Sequence, residues 1–76
     1  MDIQHKIGSR MRYLRTKNKM SQEDLAHAAG LDRTYINSIE NGRRNVSIAN
    51  IERIANALDI SLSDFFGADI FGMINE

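Results

Sequence analysis

Residues 22–41 constrain this chain more than any other stretch. They read Gln-Glu-Asp-Leu-Ala-His-Ala-Ala-Gly-Leu-Asp-Arg-Thr-Tyr-Ile-Asn-Ser-Ile-Glu-Asn. Leu25 and Ala29 lie four apart, one turn of one helical face. Ala26 is small where a second helix would cross closely. Gly30 can take the left-handed conformation that ends a helix and reverses the chain. Leu31 would fill the corner. Asp32 can cap the next helix, whose buried stripe is Ile36 and Ile39. An ordinary hairpin in a small bundle would share one or two of these features. All of them in register predict two short helices that pack tightly across a sharp turn.

The second helix leaves Arg33, Thr34, Tyr35, Asn37 and Ser38 outside its apolar stripe. Such side chains can reach base edges or phosphates, as those of a DNA-reading helix must. Arg33 opens the helix and can grip a guanine edge with two hydrogen bonds; the alternative is a phosphate clamp. Thr34 can offer a methyl to thymine or a hydroxyl to phosphate. Asn37, one turn past Arg33, can read adenine, and Ser38 suits a short polar contact. Tyr35 either lies along the DNA backbone or packs on Arg33.

Net charge is zero, which at first argues against a nucleic-acid partner. Its distribution argues the other way. Residues 1–44 hold nine Lys and Arg against five Asp and Glu; residues 45–76 hold one against five. A basic half and an acidic half suggest one face for phosphate and another for something else.

Length allows one domain with one small core. At 42% hydrophobic residues the chain can fill a helical core but not a core plus an enclosed catalytic pocket. It has no Cys, hence no disulfide or thiolate site. His5 and His27 lack ligand spacing, so no metal or cofactor is expected. No apolar run approaches the ~20 residues of a membrane helix. The start lacks the apolar core of a signal peptide, so the cytoplasm is the expected compartment.

The pattern along the chain predicts an all-α fold of five short helices. The first runs from about Ile3 to Lys17, with Ile3, Ile7, Met11 and Leu14 as its buried stripe. Ser21 caps the second, with Asp24 as a partial capping box. Asn41-Gly42 ends the third, and residues 43–46 form a loop. Ser47 caps a fourth, striped by Ile48, Ile51, Ile54, Ala55 and Leu58. Ser61 caps a short fifth. Residues 1–66 would form the DNA-binding domain, and residues 67–76 a tail.

The last quarter is richer in apolar residues than a core already supplied requires. Leu62 and Phe65 are expected to complete the core. Phe66, Ile70 and Phe71, with Ile60, Met73 and Ile74, would leave an exposed patch on a monomer. A twofold dimer would bury it and hold two reading helices about 34 Å apart, one turn of DNA. The alternative is a tail folded back on its own subunit.

Several words in the chain together resemble the lambda-repressor-like, or Xre-type, helix-turn-helix family. They are Arg-Tyr-Leu-Arg (12–15), Met-Ser-Gln-Glu-Asp-Leu-Ala (20–26), Gly-Leu-Asp-Arg-Thr-Tyr-Ile (30–36), Ile-Glu-Asn-Gly (39–42) and Ser-Leu-Ser-Asp-Phe-Phe (61–66). Within that family the chain is most similar to the controller proteins of restriction–modification systems, which are homodimeric transcription regulators of about this size. The resemblance implies a double-stranded operator of pseudo-palindromic half-sites as partner, and neither membrane nor small-molecule substrate. It implies that Gln22 bonds a phosphate and steadies the first reading residue, and that Asn41, Arg43 and Arg44 form a phosphate-binding loop. It also implies an ion pair between Arg15 and Glu40. A phage-type or general repressor is the nearest alternative. A protein-interaction module, such as an antitoxin or antirepressor, is the alternative of another class. Glu40 has no companion nucleophile or metal ligand, so no catalytic residue is expected.

Overall fold

The computed structural model describes residues 1–72 and is helical throughout its regular structure. Five α-helices follow one another: α1 (Ile3–Lys17), α2 (Gln22–Ala29), α3 (Arg33–Glu40), α4 (Ile48–Ala57) and α5 (Leu62–Phe66), then a single 3₁₀ turn at Asp69–Phe71. Each α-helix begins on a side-chain cap: Asp2, Ser21, Asp32, Ser47 and Ser61. At α2 the capping box is complete, because the Asp24 carboxylate also accepts the Ser21 N–H at 2.9 Å. None of the described helices is long and apolar enough to cross a membrane.

Four helices end the same way. A residue at the cap (α2) or just past it (α1, α3 and α4) turns left-handed, and the next N–H reaches back five residues to a carbonyl of the last turn. Gly30 (φ 68°) and Gly42 (φ 72°) do this without strain, while Lys19 (φ 58°) and Asp59 (φ 60°) do it against their Cβ. The Leu31 N–H to Ala26 bond, 2.9 Å, makes the sharp turn between α2 and α3.

Met11, Leu25, Ile36, Ile39, Ile54, Leu58 and Phe65 are fully buried and draw on all five helices. α1 and α2 pack against α3, and α2 also packs against α4. Burying a side chain such as Phe65 stabilises the fold by about 1.5–3 kcal/mol. Two expected stripe residues stay in solvent, Ile3 at 56% exposed and Ile48 at 78%. Each is the first residue of its helix. Cα–Cβ bonds tilt toward a helix's N-terminus, so these side chains cover space beyond the core's edge.

α1 crosses α3 at Gly8, where a Cβ would come within 2.3 Å of the Ile39 carbonyl oxygen. Side chains of α1 also tie down distant backbone. Arg10 donates to the Phe65 and Asp64 carbonyls of α5 at 2.9 and 2.8 Å, and Asn18 donates to the Leu58 carbonyl at 3.1 Å. After Phe66 the chain turns back over α1, and Phe71 packs partly into the core. Met73 and Ile74 lie outside the described residues.

Candidate nucleic-acid interface

α3 begins at Arg33 because Asp32 caps the Thr34 N–H just after the Gly30 turn. The helix buries Ile36, Ile39 and Glu40 and leaves Arg33 and Thr34 exposed at its start. Asn37 and Ser38, one turn on, are half-buried. The two pairs therefore differ in reach: the first projects freely, and the second sits closer to α2.

Behind α3 lies a buried carboxylate. The Glu40 side chain is 0% exposed, and Arg15 meets both of its oxygens, Nε to Oε2 at 2.7 Å and Nη2 to Oε1 at 3.0 Å. The expected pair therefore forms, in the two-pronged geometry that suits guanidinium to carboxylate. Burial pushes the Glu40 carboxyl up, but hydrogen bonds from Arg15 and Gln22, the Arg15 charge and a bond from Arg12 outweigh it. The net result lies below the ordinary carboxylate range. Hydrogen bonding to Glu40 raises Arg15 correspondingly. Arg15 also donates to the Met20 carbonyl at 2.8 Å, which fastens the turn before α2.

A chain of side-chain amides leads outward from this carboxylate. Gln22 donates to Glu40 Oε1 at 3.1 Å and accepts from Asn37 at 3.2 Å. Asn41 donates to the Asn37 side chain at 3.2 Å and to its carbonyl at 3.0 Å. Buried polar atoms need such partners, and a connected set holds its members in one arrangement. Gln22, Asn37 and Asn41, singled out separately by sequence, are joined by the fold into one network.

The loop after α3 carries Arg43 and Arg44, both exposed. The Arg44 guanidinium lies over the Tyr35 ring, 4.8 Å from its centre. Asn50 of α4 donates to the Tyr35 hydroxyl at 3.1 Å. Tyr35 therefore stacks beneath Arg44 rather than on Arg33. At the other edge of the loop Gln4 hydrogen-bonds Asn45, and His5 sits against Gly42.

Sequence patterning leaves four residues of this region without a role. Arg12 has a signal, since it lies one turn before Arg15 and so shares a face with it. Gly8 has a weaker one, an isolated glycine inside a helical pattern. Asn50 and Arg10 have none, because their partners lie 15 and 55 residues away. Of the expected dimer residues, Phe66 is 39% exposed; Ile70 and Phe71 are half-buried. Phe71 and Phe66 pack edge to face at 5.1 Å within one chain. Among the described residues, no group of three or more His, Asp or Glu could hold a metal ion. His5 bonds Asp2, the cap of its own helix, at 2.8 Å.

A helix-turn-helix family model matches residues 11–65. The chain is 48% identical over 66 residues to Control protein C.MunI of a Mycoplasma species, covering 86% of this chain and 89% of that one. The structure is similar to that of the restriction-modification controller protein C.AhdI from Aeromonas hydrophila, with TM-score 0.80 and 49% identity over 83% of this chain and 96% of that chain. It is also similar to C.Esp1396I, solved as a tetramer in complex with its natural 35 base-pair operator, with TM-score 0.83 and 37% identity over 88% of each chain.

Proposed function

The chain belongs to the Xre-like helix-turn-helix family of transcription regulators, and from that premise we propose that it is the controller protein of a restriction–modification system, binding operator DNA as a homodimer. One observation carries the reading. α3 presents Arg33 and Thr34 to solvent at its start, and the loop that follows it brings Arg44 over Tyr35 of the same helix. A helix end with free donors beside a cationic loop is what reading a groove between two phosphate rows requires.

In this reading Arg33 and Thr34 reach base edges. Ser38 contributes one turn deeper, beside Asn37, whose side chain is tied to Gln22 and Asn41 and holds them in place. Gln22, Tyr35, Asn41, Arg43 and Arg44 meet the backbone. Two copies, related by a twofold axis, set their reading helices one turn of DNA apart, so the operator is a pair of inverted half-sites. Phe66, Ile70 and Phe71 contribute to the surface between the copies. An operator-binding protein works where its DNA is, in the cytoplasm.

The test is footprinting on DNA from upstream of the protein's own gene, in the presence of excess mixed-sequence competitor. The expected result is protection of two inverted half-sites. Uniform protection, or none, would overturn the reading.

A further inference from the structure

We propose that Arg12, on the first helix, is itself a phosphate ligand in the DNA complex. The inference deepens the operator-binding reading above and rests on it.

Charge and geometry carry it. The buried Glu40 carboxylate has one negative charge, and Arg15 alone balances it through both oxygens. Arg15 is 12% exposed, and its third guanidinium nitrogen donates to the Met20 carbonyl. Arg12 brings a second cation to the same carboxylate. It engages only Oε1, through Nε, at 3.3 Å, and its side chain is 52% exposed. Among the described residues this is its one side-chain hydrogen bond, so both terminal nitrogens have no protein acceptor there. The cluster thus carries an uncompensated positive charge, half in solvent.

Its place is also defined. Arg12 and Gln22 donate to the same Glu40 oxygen, so the two side chains stand next to each other. From Gln22 the amide network runs through Asn37 to Asn41 on the outer side of α3. Arg12 is therefore the first member of a polar row that ends at the reading helix. A guanidinium held through Nε keeps a pair of terminal N–H groups in fixed orientation, which suits two oxygens of one phosphate.

The rival role is a second clamp on Glu40, with no contact to DNA. The two roles separate by measurement. Operator affinity would be measured against KCl concentration for the full chain and for Arg12→Gln, Arg12→Lys and Lys17→Gln, with thermal melts of each. Arg12→Gln should flatten the log–log salt slope by about one per subunit. It should change the melting temperature little, because Arg15 still holds Glu40. Arg12→Lys should restore most of the slope. Lys17→Gln, which removes the same charge from the same helix, should not reproduce the loss. An unchanged slope for Arg12→Gln overturns the proposal, whatever the melt shows. So does an equal loss in Lys17→Gln, which would make the effect long-range charge alone. If the wild type shows no preference for an operator, the operator reading fails instead. The slope on mixed-sequence duplex still decides the role of Arg12, since phosphate contact needs no particular sequence.

Discussion

Asn37 donates its side-chain amide to Gln22 at 3.2 Å, across the turn that joins the reading helix to its support. Its own side-chain oxygen already accepts from Asn41. An asparagine engaged at both its amide nitrogen and its oxygen suits a positioning role. Asn37→Ala should weaken operator binding about fivefold, the worth of one hydrogen bond at ~1 kcal/mol. The loss should be even across base-pair substitutions, and Gln22→Ala should add little to it. Binding-site selection from a random pool checks this. A consensus that relaxes at one position per half-site would return Asn37 to the bases.

Among the described residues Arg33 has no such tether, and the opposite pattern is expected of it. Arg33→Ala should cost roughly 1–3 kcal/mol on the operator and relax preference at one base pair per half-site. Arg43→Ala and Arg44→Ala should weaken binding across all sequences and flatten the salt dependence. The same selection, with titrations at several salt concentrations, compares the three. An unchanged consensus for Arg33→Ala would remove it from base reading.

The Arg15–Glu40 pair should govern stability. Replacing one partner strands the other near the core, at about 3 kcal/mol. Glu40→Gln or Arg15→Met should therefore lower the melting temperature by well over 10 °C. The double variant should lose less than the two single losses together, and simple additivity would mean no interaction. The pair also sets a pH dependence. Glu40 lies below its ordinary value of about 4.3, so between the two values the unfolded chain binds more protons. Its contribution is complete above that ordinary value and is lost as pH falls through the folded one. Asp24 and Asp2, lowered first by backbone N–H bonds at their helix caps, act in the same direction. Melts from pH 5 to pH 3 should fall steeply in the wild type and less steeply in Glu40→Gln.

What could be read beforehand, and what could not, divides by distance along the chain. Caps, stripes and turns are local, so Ser21 with Asp24, Gly30 and Ile36 with Ile39 were legible from spacing alone. Periodicity overreached at Ile3 and Ile48, because it finds a helix's face but not the edge of the core. The Arg15–Glu40 pair came through family resemblance, since nothing in spacing links residues 25 apart. The Asn50–Tyr35 bond and the Arg10 grip on α5 depend on how helices cross, and no residue advertises that in advance. Tyr35 shows the limit well. Its position just outside the stripe was clear, but its stacking partner depended on the path of the loop carrying Arg44.

Gly8 and Lys19 make two backbone claims that point in opposite directions. A methyl at Gly8 would meet the Ile39 carbonyl at 2.3 Å, a backbone atom that moves only if α1 and α3 separate. Gly8→Ala should destabilise by about 3 kcal/mol, despite the gain in helix propensity. Lys19 is exposed and held at φ 58°, where a Cβ costs about 1–2 kcal/mol. Lys19→Gly removes that strain but adds entropy to the unfolded chain, for a net gain of about 0.5 kcal/mol. Denaturant titrations resolve both signs. A neutral Gly8→Ala would show that the crossing can yield.

Assembly rests on the end of the chain, where two aromatic rings have different prospects. Phe71 packs within its own chain, 6.3 Å from the Phe65 ring and 5.1 Å from Phe66. Replacing it with a polar residue should lower the melting temperature as well as weaken any dimer, which confounds its use as a probe. Phe66 is the more exposed of the two, at 39%, and reaches the core only through an edge-to-face contact of its ring with Phe65 at 5.1 Å. Phe66→Lys should lower the melt less than a polar residue at Phe71 does, and weaken self-association at least tenfold, or ~1.4 kcal/mol. Operator affinity should fall in step, while binding to an isolated half-site changes little, because the second half-site counts only when two copies are joined. Sedimentation equilibrium over a concentration series, with binding to both DNA lengths, reads all three quantities. A Phe66→Lys protein that dimerises as tightly as the wild type would move the interface elsewhere, with the exposed Ile48 of α4 the next residue to test. A wild type that stays monomeric even on the full operator would end the model of two half-sites read by a joined pair.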